Sequence, residues 1–203
     1  MPAAPIPQPP RPPISHALVY AGPTNPPQIN VFRNNLTFLN QPAQPQISHL
    51  PTTGLLIVLS SWGGNTFEAR SLYGLIRTLS YPIEIHASGV IQSAAIPLIL
   101  SADHRSCTAD TTFMFHPWMW GTEAHTGRTL EDLQQTPMLL EDYVKWGKQT
   151  LNDRSGLKHA DIERLKLFDA SKIYDANFAL KNGIVHEIVE RKIPAGIMTW
   201  NMV

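Results

Sequence analysis

Three short stretches of the chain carry the residue types that acyl transfer requires. They are Ser88-Gly89-Val90-Ile91-Gln92-Ser93-Ala94-Ala95, Ser61-Trp62-Gly63-Gly64, and Phe113-Met114-Phe115-His116-Pro117. A hydroxyl becomes a useful nucleophile when a base takes its proton and fixed dipoles receive the charge that develops on its target. Ser93 has a setting that fits the second requirement. The alternating run Ile83 to Ala87 predicts a strand before it, and the apolar run Ile96 to Leu100 predicts a helix after it. In the first turn of a helix, backbone N–H groups lack partners and favour nearby negative charge. The same place suits a capping or small core serine, so Ser93 alone does not decide.

The other two stretches supply the missing parts. Gly63-Gly64 ends a predicted strand, and glycine lets an incoming oxygen approach a bare amide closely. The amides of Gly64 and Ala94 would then form an oxyanion hole, whose single donors are typically worth about 3 to 4 kcal/mol of transition-state stabilisation. His116, at the end of another predicted strand, is the candidate base. One histidine among eight is weak evidence alone, as is a double glycine.

Positioning these turns requires parallel strands. Leu55 to Leu59 is a continuous branched apolar run, the pattern of a strand covered on both faces. It leads through Gly63-Gly64 into Phe67, Leu72, Leu75, Ile76 and Leu79 at helical spacing, and then into the strand before Ser93. Strand, glycine turn and helix, twice over, predict right-handed crossovers and an α/β fold with a mainly parallel sheet. Both turns then fall at the carboxyl edge, where such folds assemble their sites. A first strand is expected at Ala17 to Tyr20, a helix at Asn30 to Leu39, a loop over Asn40 to Thr53, and short strands at Arg105 to Thr108 and Thr112 to Phe115. Thr129 to Ser155 reads as one long helix, with Leu133, Met138, Leu139, Tyr143 and Trp146 among its apolar positions. Helices near His159 to Leu167 and Tyr174 to Asn182 and a last strand at Ile184 to Val189 complete the expectation.

Composition bounds the partners. The 203 residues fit one domain, and sixteen basic against sixteen acidic side chains leave no net charge to attract nucleic acid or an anionic membrane. No stretch approaches the roughly 18 apolar residues of a membrane span, and the expectation is a cytoplasmic protein. The lone Cys107 reads as a buried small hydrophobe. Prolines dominate residues 1–13 and predict an extended arm, ordered by neighbouring subunits if at all.

Taken together and in this order, the stretches resemble the proteolytic subunit of the Clp protease family, within the wider Clp/crotonase-like fold. Its Ser-Pro-Gly-Gly turn is similar to Ser61-Trp62-Gly63-Gly64, with tryptophan for proline. Its Gly-x-x-x-Ser element is matched by Gly89 to Ser93, and its Met-Ile-His-Gln-Pro run by Met114-Phe115-His116-Pro117. Asp175-Ala176 through Gly183-Ile184-Val185 resembles its later Ser-Ala-x-Glu-Ala-x-x-Tyr-Gly-Leu-Val. The resemblance spans roughly residues 16 to 190 and implies repeated ββα units, a protruding handle helix near 129 to 155, a proline-rich arm at 1–14 and one Clp protease-like domain at 15–203.

It also implies a serine endopeptidase with Ser93 as nucleophile and His116 as base, without metal or cofactor. Peptides or unfolded proteins would be the substrate, a homo-oligomeric ring would form through the handle, and an ATP-dependent unfoldase is a possible partner. The third member of the triad departs from the family. Counting back from Gly183 places Ser171 at the family's aspartate, while Asp169 lies two residues earlier and carries the carboxylate, so Asp169 is the first choice and Ser171 the alternative. Two other readings stand beside the peptidase: a crotonase-type acyl-CoA enzyme, for which Glu68 is the nearest carboxylate, and a catalytically weak structural subunit of a Clp-like ring.

Overall fold

The computed structural model describes residues 9–41, 52–119 and 130–202, with the side chains of 130–136 excepted. Residues 1–8 of the arm, 42–51 of the expected loop, Thr129 and the side chain of Leu133 lie outside the described residues.

Strand β1 (His16–Ala21) leads to helix α1 (Pro26–Leu39), β2 (Leu55–Ser61), α2 (Thr66–Thr78), β3 (Ile83–Gln92) and the short α3 (Ala95–Ile99). After β4 (His104–Cys107) and β5 (Thr112–Phe115) come the long α4 (Leu130–Arg154), α5 (His159–Leu165), β6 (Lys172–Tyr174), α6 (Ala176–Lys181), β7 (Glu187–Ile188) and β8 (Met198–Met202). The strands run in the order β6-β5-β3-β2-β1-β8, with β4 between β3 and β7. Pairing is parallel throughout except at β5 and β6. The expected mainly parallel α/β sheet is present. Leu55, Leu56, Ile57 and Leu59 of β2 are fully buried, as a strand covered on both faces requires.

Strand β3 does not stop before Gly89, as its sequence suggested. Glu84 to Ala87 pairs with β4, and Val90 to Gln92 changes partner to β5. The register against β2 slips between Leu59 and Ser61 at the same level. Gly89, at φ 94°, sits at this break, where an irregularity bends a strand and re-aims the residues beyond it. Ser93 is the side chain so redirected.

Two elements escaped the sequence reading. β6 occupies what was expected to be a flexible connection between helices, and three residues are too few for a period to register. β8 pairs with β1 beyond the point where the family resemblance ended. The long helix also differs from expectation in what it buries. Tyr143 is buried and stacks on Trp118, while Trp146 packs edge-on against Tyr73 and Trp118, with Arg70 over both α4 rings. Tyr143, and Trp146 in part, are therefore covered by their own subunit. Met138, 70% exposed, does project.

Buried polar groups tie the periphery to the sheet. Arg105, 4% exposed, faces no carboxylate; its guanidinium donates to the carbonyls of Ile184, Ala102, Arg154 and Gly183 at 2.8 to 3.3 Å. Burial pushes it down to about 10, still charged at neutral pH. Glu84 is fully buried and held by Arg191 at 2.9 and 3.1 Å. Arg11 pairs with Glu187 at 2.5 Å, so the described part of the arm docks on its own chain rather than waiting for a neighbour. Cys107 is buried and its thiol is pushed up to about 12, which leaves it inert.

Removing Arg105 would strand several carbonyls at once, and each bond to a charged donor is worth about 1.5 to 3 kcal/mol. Arg105→Ala is expected to destabilise by about 3 kcal/mol or more, read by denaturant unfolding. A second expectation concerns His186, whose Nδ1 accepts the Arg105 backbone N–H at 3.1 Å. Burial, then the Arg105 charge, push it down to about 3, so the folded form stays neutral while the unfolded form binds a proton near 6.5. Stability is thus present above about pH 6.5 and lost as pH falls, by about 2 kcal/mol at pH 5. His186→Gln should flatten that part of a melting-temperature profile against pH.

Candidate active site

The Gly63-Gly64 turn and the turn that bears Ser93 meet in space. After β2, Ser61 is buried and its Oγ accepts the Gly63 N–H at 3.2 Å, which starts the turn. The Gly63 carbonyl accepts the Thr24 N–H at 2.8 Å, and the Thr24 carbonyl accepts the Asn65 N–H at 3.1 Å. Asn65 then caps α2 by accepting the Glu68 N–H. The segment after β1 therefore clamps the turn from one side.

From the other side comes Ser93. Gly63 (φ 84°) has no room for a side chain: a Cβ there would lie 2.7 Å from Ser93 Cβ and Gln92 O, and 2.9 Å from Ala94 N. Ser93 itself is held at φ 53°, a left-handed conformation that costs a non-glycine residue roughly 1 to 2 kcal/mol. Its N–H donates to Met114 O at 2.9 Å, prolonging the β3–β5 pairing, and its carbonyl accepts from Ile96 at 3.0 Å. It therefore stands in a strained turn just before α3 rather than capping it, since Ala94 is the cap residue. Its hydroxyl makes no hydrogen bond to any described residue, and neither the Gly64 nor the Ala94 N–H has a partner among them.

A pocket of about 280 Å³ opens here, lined by Gly63, Gly64, Ser93 and His116, with Trp62, Trp118 and Met119 as its apolar walls. His116 comes from the end of β5, and its Nδ1–H donates to the carbonyl of Pro117 at 2.6 Å. A carbonyl only accepts, so this bond assigns the proton to Nδ1 and leaves Nε2 as a base. Ser93 and His116 share the pocket without a hydrogen bond between them, an arrangement common where no substrate is bound.

No carboxylate lines the pocket among the described residues. Asp169 lies in the turn between α5 and β6, and its Oδ2 accepts from Lys148 Nζ at 2.7 Å. Lys148 also reaches Glu163 Oε1, at 2.9 Å. Burial acts to lower the Lys148 ammonium, but its hydrogen bonds to Asp169 and Glu163 leave it above its ordinary value. Ser171 immediately precedes β6, and the antiparallel register that pairs Phe115 with Lys172 brings it next to His116 when continued by one residue. Glu68, the carboxylate named for a crotonase-type reading, accepts from Arg33 at 2.8 Å and does not line the pocket. Lys148 carried no signal in the sequence, because its partner Asp169 is reached only through the packing of α4 beside α5.

The profile of the Clp protease family matches residues 30–192. The chain belongs to the Clp protease family. Among solved structures it is similar to a mutant of ClpP1 from Listeria monocytogenes, with a TM-score of 0.71 and 18% identity, covering 87% of this chain and 92% of that one. At that identity the likeness concerns the fold. No curated protein matches the chain. Within the Clp fold, the glycine turn, Ser93 and His116 occupy one carboxyl edge of the sheet, and no helix among the described residues is long and apolar enough to cross a membrane.

Gly63→Ala is the sharpest test of this packing. The added methyl must push Ser93 or the Ala94 amide, so reaction with a serine-directed fluorophosphonate should fall at least about a hundredfold, in line with the loss of one oxyanion donor. Labelling at the wild-type rate would show that the close contact does not govern the site.

Proposed function

We propose that this Clp-family chain is a serine endopeptidase that cleaves peptides or unfolded proteins through an acyl-enzyme. The observation that carries the reading is the contact of Ser93 with the Gly63 backbone, in one pocket with His116 and two unpartnered amides. His116 Nε2 takes the proton from Ser93 Oγ as that oxygen attacks the scissile carbonyl carbon. The resulting oxyanion is received by the N–H groups of Gly64 and Ala94. When the C–N bond breaks, the imidazolium returns its proton to the leaving amine, and water, deprotonated by the same base, releases the acyl group. The Pro117 carbonyl fixes the tautomer in this scheme. It carries no full charge, however, and stabilises the imidazolium less than a carboxylate does. Asp169 carries the carboxylate two residues before Ser171, and Ser171 is the nearer position by register. The walls formed by Trp62, Trp118 and Met119 favour an extended peptide with apolar side chains.

Ring assembly is part of the proposal, through the handle helix α4, on which Met138 is exposed. An ATP-dependent unfoldase would supply unfolded substrate, because the sequence holds no nucleotide motif of its own.

Incubation with a fluorophosphonate, followed by peptide mapping, should modify Ser93 in the wild type and nothing in Ser93→Ala. His116→Ala should lose several powers of ten in turnover of a fluorogenic peptide, since members of such a unit act together. Ser171→Asp should raise turnover tenfold or more by placing a carboxylate beside the imidazole. Peptide cleavage that persists in Ser93→Ala would sink the proposal.

A further inference from the structure

We propose that Lys148 sets the turnover of this site by competing with His116 for the Asp169 carboxylate. The proposal rests on the acyl-transfer reading of Ser93 and His116. In the described arrangement the competition is won by Lys148, whose ammonium lies 2.7 Å from Asp169 and 2.9 Å from Glu163. The Lys148 side chain is only 15% exposed, so it is a placed contact and not a solvated surface pair. Among the described residues, the His116 Nδ1 acceptor is the carbonyl next to it in the chain.

The turn that bears Asp169 abuts the histidine. Phe168 packs edge-on against Phe115 and Trp118, at 5.3 and 5.7 Å between ring centroids, and these residues flank His116 and Pro117. Asp169 is two residues, about 7 Å of extended chain, from the position that the β5–β6 register sets beside His116. The turn also holds two non-glycine residues, Lys166 at φ 53° and Phe168 at φ 67°, in the left-handed region. Backbone strain of that kind gathers at segments with a second conformation within reach. Releasing Lys148 would free the carboxylate, relax the turn and let Asp169 accept the His116 Nδ1–H. Lys148 is thus a positioning residue that acts through Asp169.

The test is Lys148→Met, which keeps the stem and removes the charge. The rate of fluorophosphonate labelling at Ser93 and kcat for a short fluorogenic peptide should each rise at least tenfold. The gain should vanish in the double variant Lys148→Met, Asp169→Asn. The apparent pKa of the basic group in the pH–rate profile should also move up, because a carboxylate beside the imidazole favours its charged form. Lys148→Arg should keep the wild-type rate. Glu163→Gln removes the other anchor and leaves Asp169 as the sole partner of Lys148, so it should not speed the enzyme; a merely structural tie would respond to both anchors alike. If Lys148→Met does not fold, Lys148→Gln is judged by the same criteria. Labelled wild type with no gain in the folded variant overturns the competition alone. Absence of Ser93 labelling in wild type and every variant overturns the acyl-transfer reading together with it.

Discussion

The contact between the Gly63 backbone and Ser93 is the constraint on which the rest of the site depends. Two neighbouring parallel strands end in turns packed so closely that a single methyl group would have to displace backbone atoms. Each turn is then held from outside: Thr24 bonds the glycine turn on both sides, and Met114 accepts the Ser93 N–H. Close packing turns backbone geometry into chemistry here, because it leaves the Gly64 and Ala94 amides beside a hydroxyl that no described residue occupies.

Strand β3 is what makes that meeting possible. By exchanging β4 for β5 at Gly89, it sends its last residues on a different course from its first, and β5 in turn brings His116 to the pocket. The exchange needs a firm base. Arg105 supplies part of it, joining the end of α4, the loop after α3 and the segment before β7 through their carbonyls, where no sheet or helix partner is available. Arg154 bonds the carbonyls of Leu100 and Ala102 as well, so the far end of the helix after Ser93 is fixed by two cations.

Charge is distributed unevenly around this frame. Among the described residues the pocket holds no carboxylate, whereas β3, β4 and β7 carry a partly buried series in which Arg191 faces Glu84, and Arg11 and His104 face Glu187. That series links β3, β4 and β7 to both ends of the chain. It explains why the described part of a proline arm with no apolar face is nevertheless seated on the domain.

The parallel sheet, the Gly63-Gly64 turn and the place of Ser93 and His116 at one edge of the sheet were legible in the sequence. They rest on local rules: continuous apolar runs for doubly covered strands, glycine where a backbone must be bare, and fixed spacing from turn to serine. The continuation of β3 past Gly89, the added strands β6 and β8, and the packing of Tyr143 and Trp146 against their own subunit were not, because each depends on which distant segment lies alongside. An apolar helical stripe states that something covers it, without saying whether that is its own subunit or another. The ionic choices were the least legible. Asp169 and Ser171 both look available to His116 along the chain, and only the packing of α4 beside α5 sets Lys148 against Asp169, while the register of β6 on β5, continued by one residue, points Ser171 toward the end of β5.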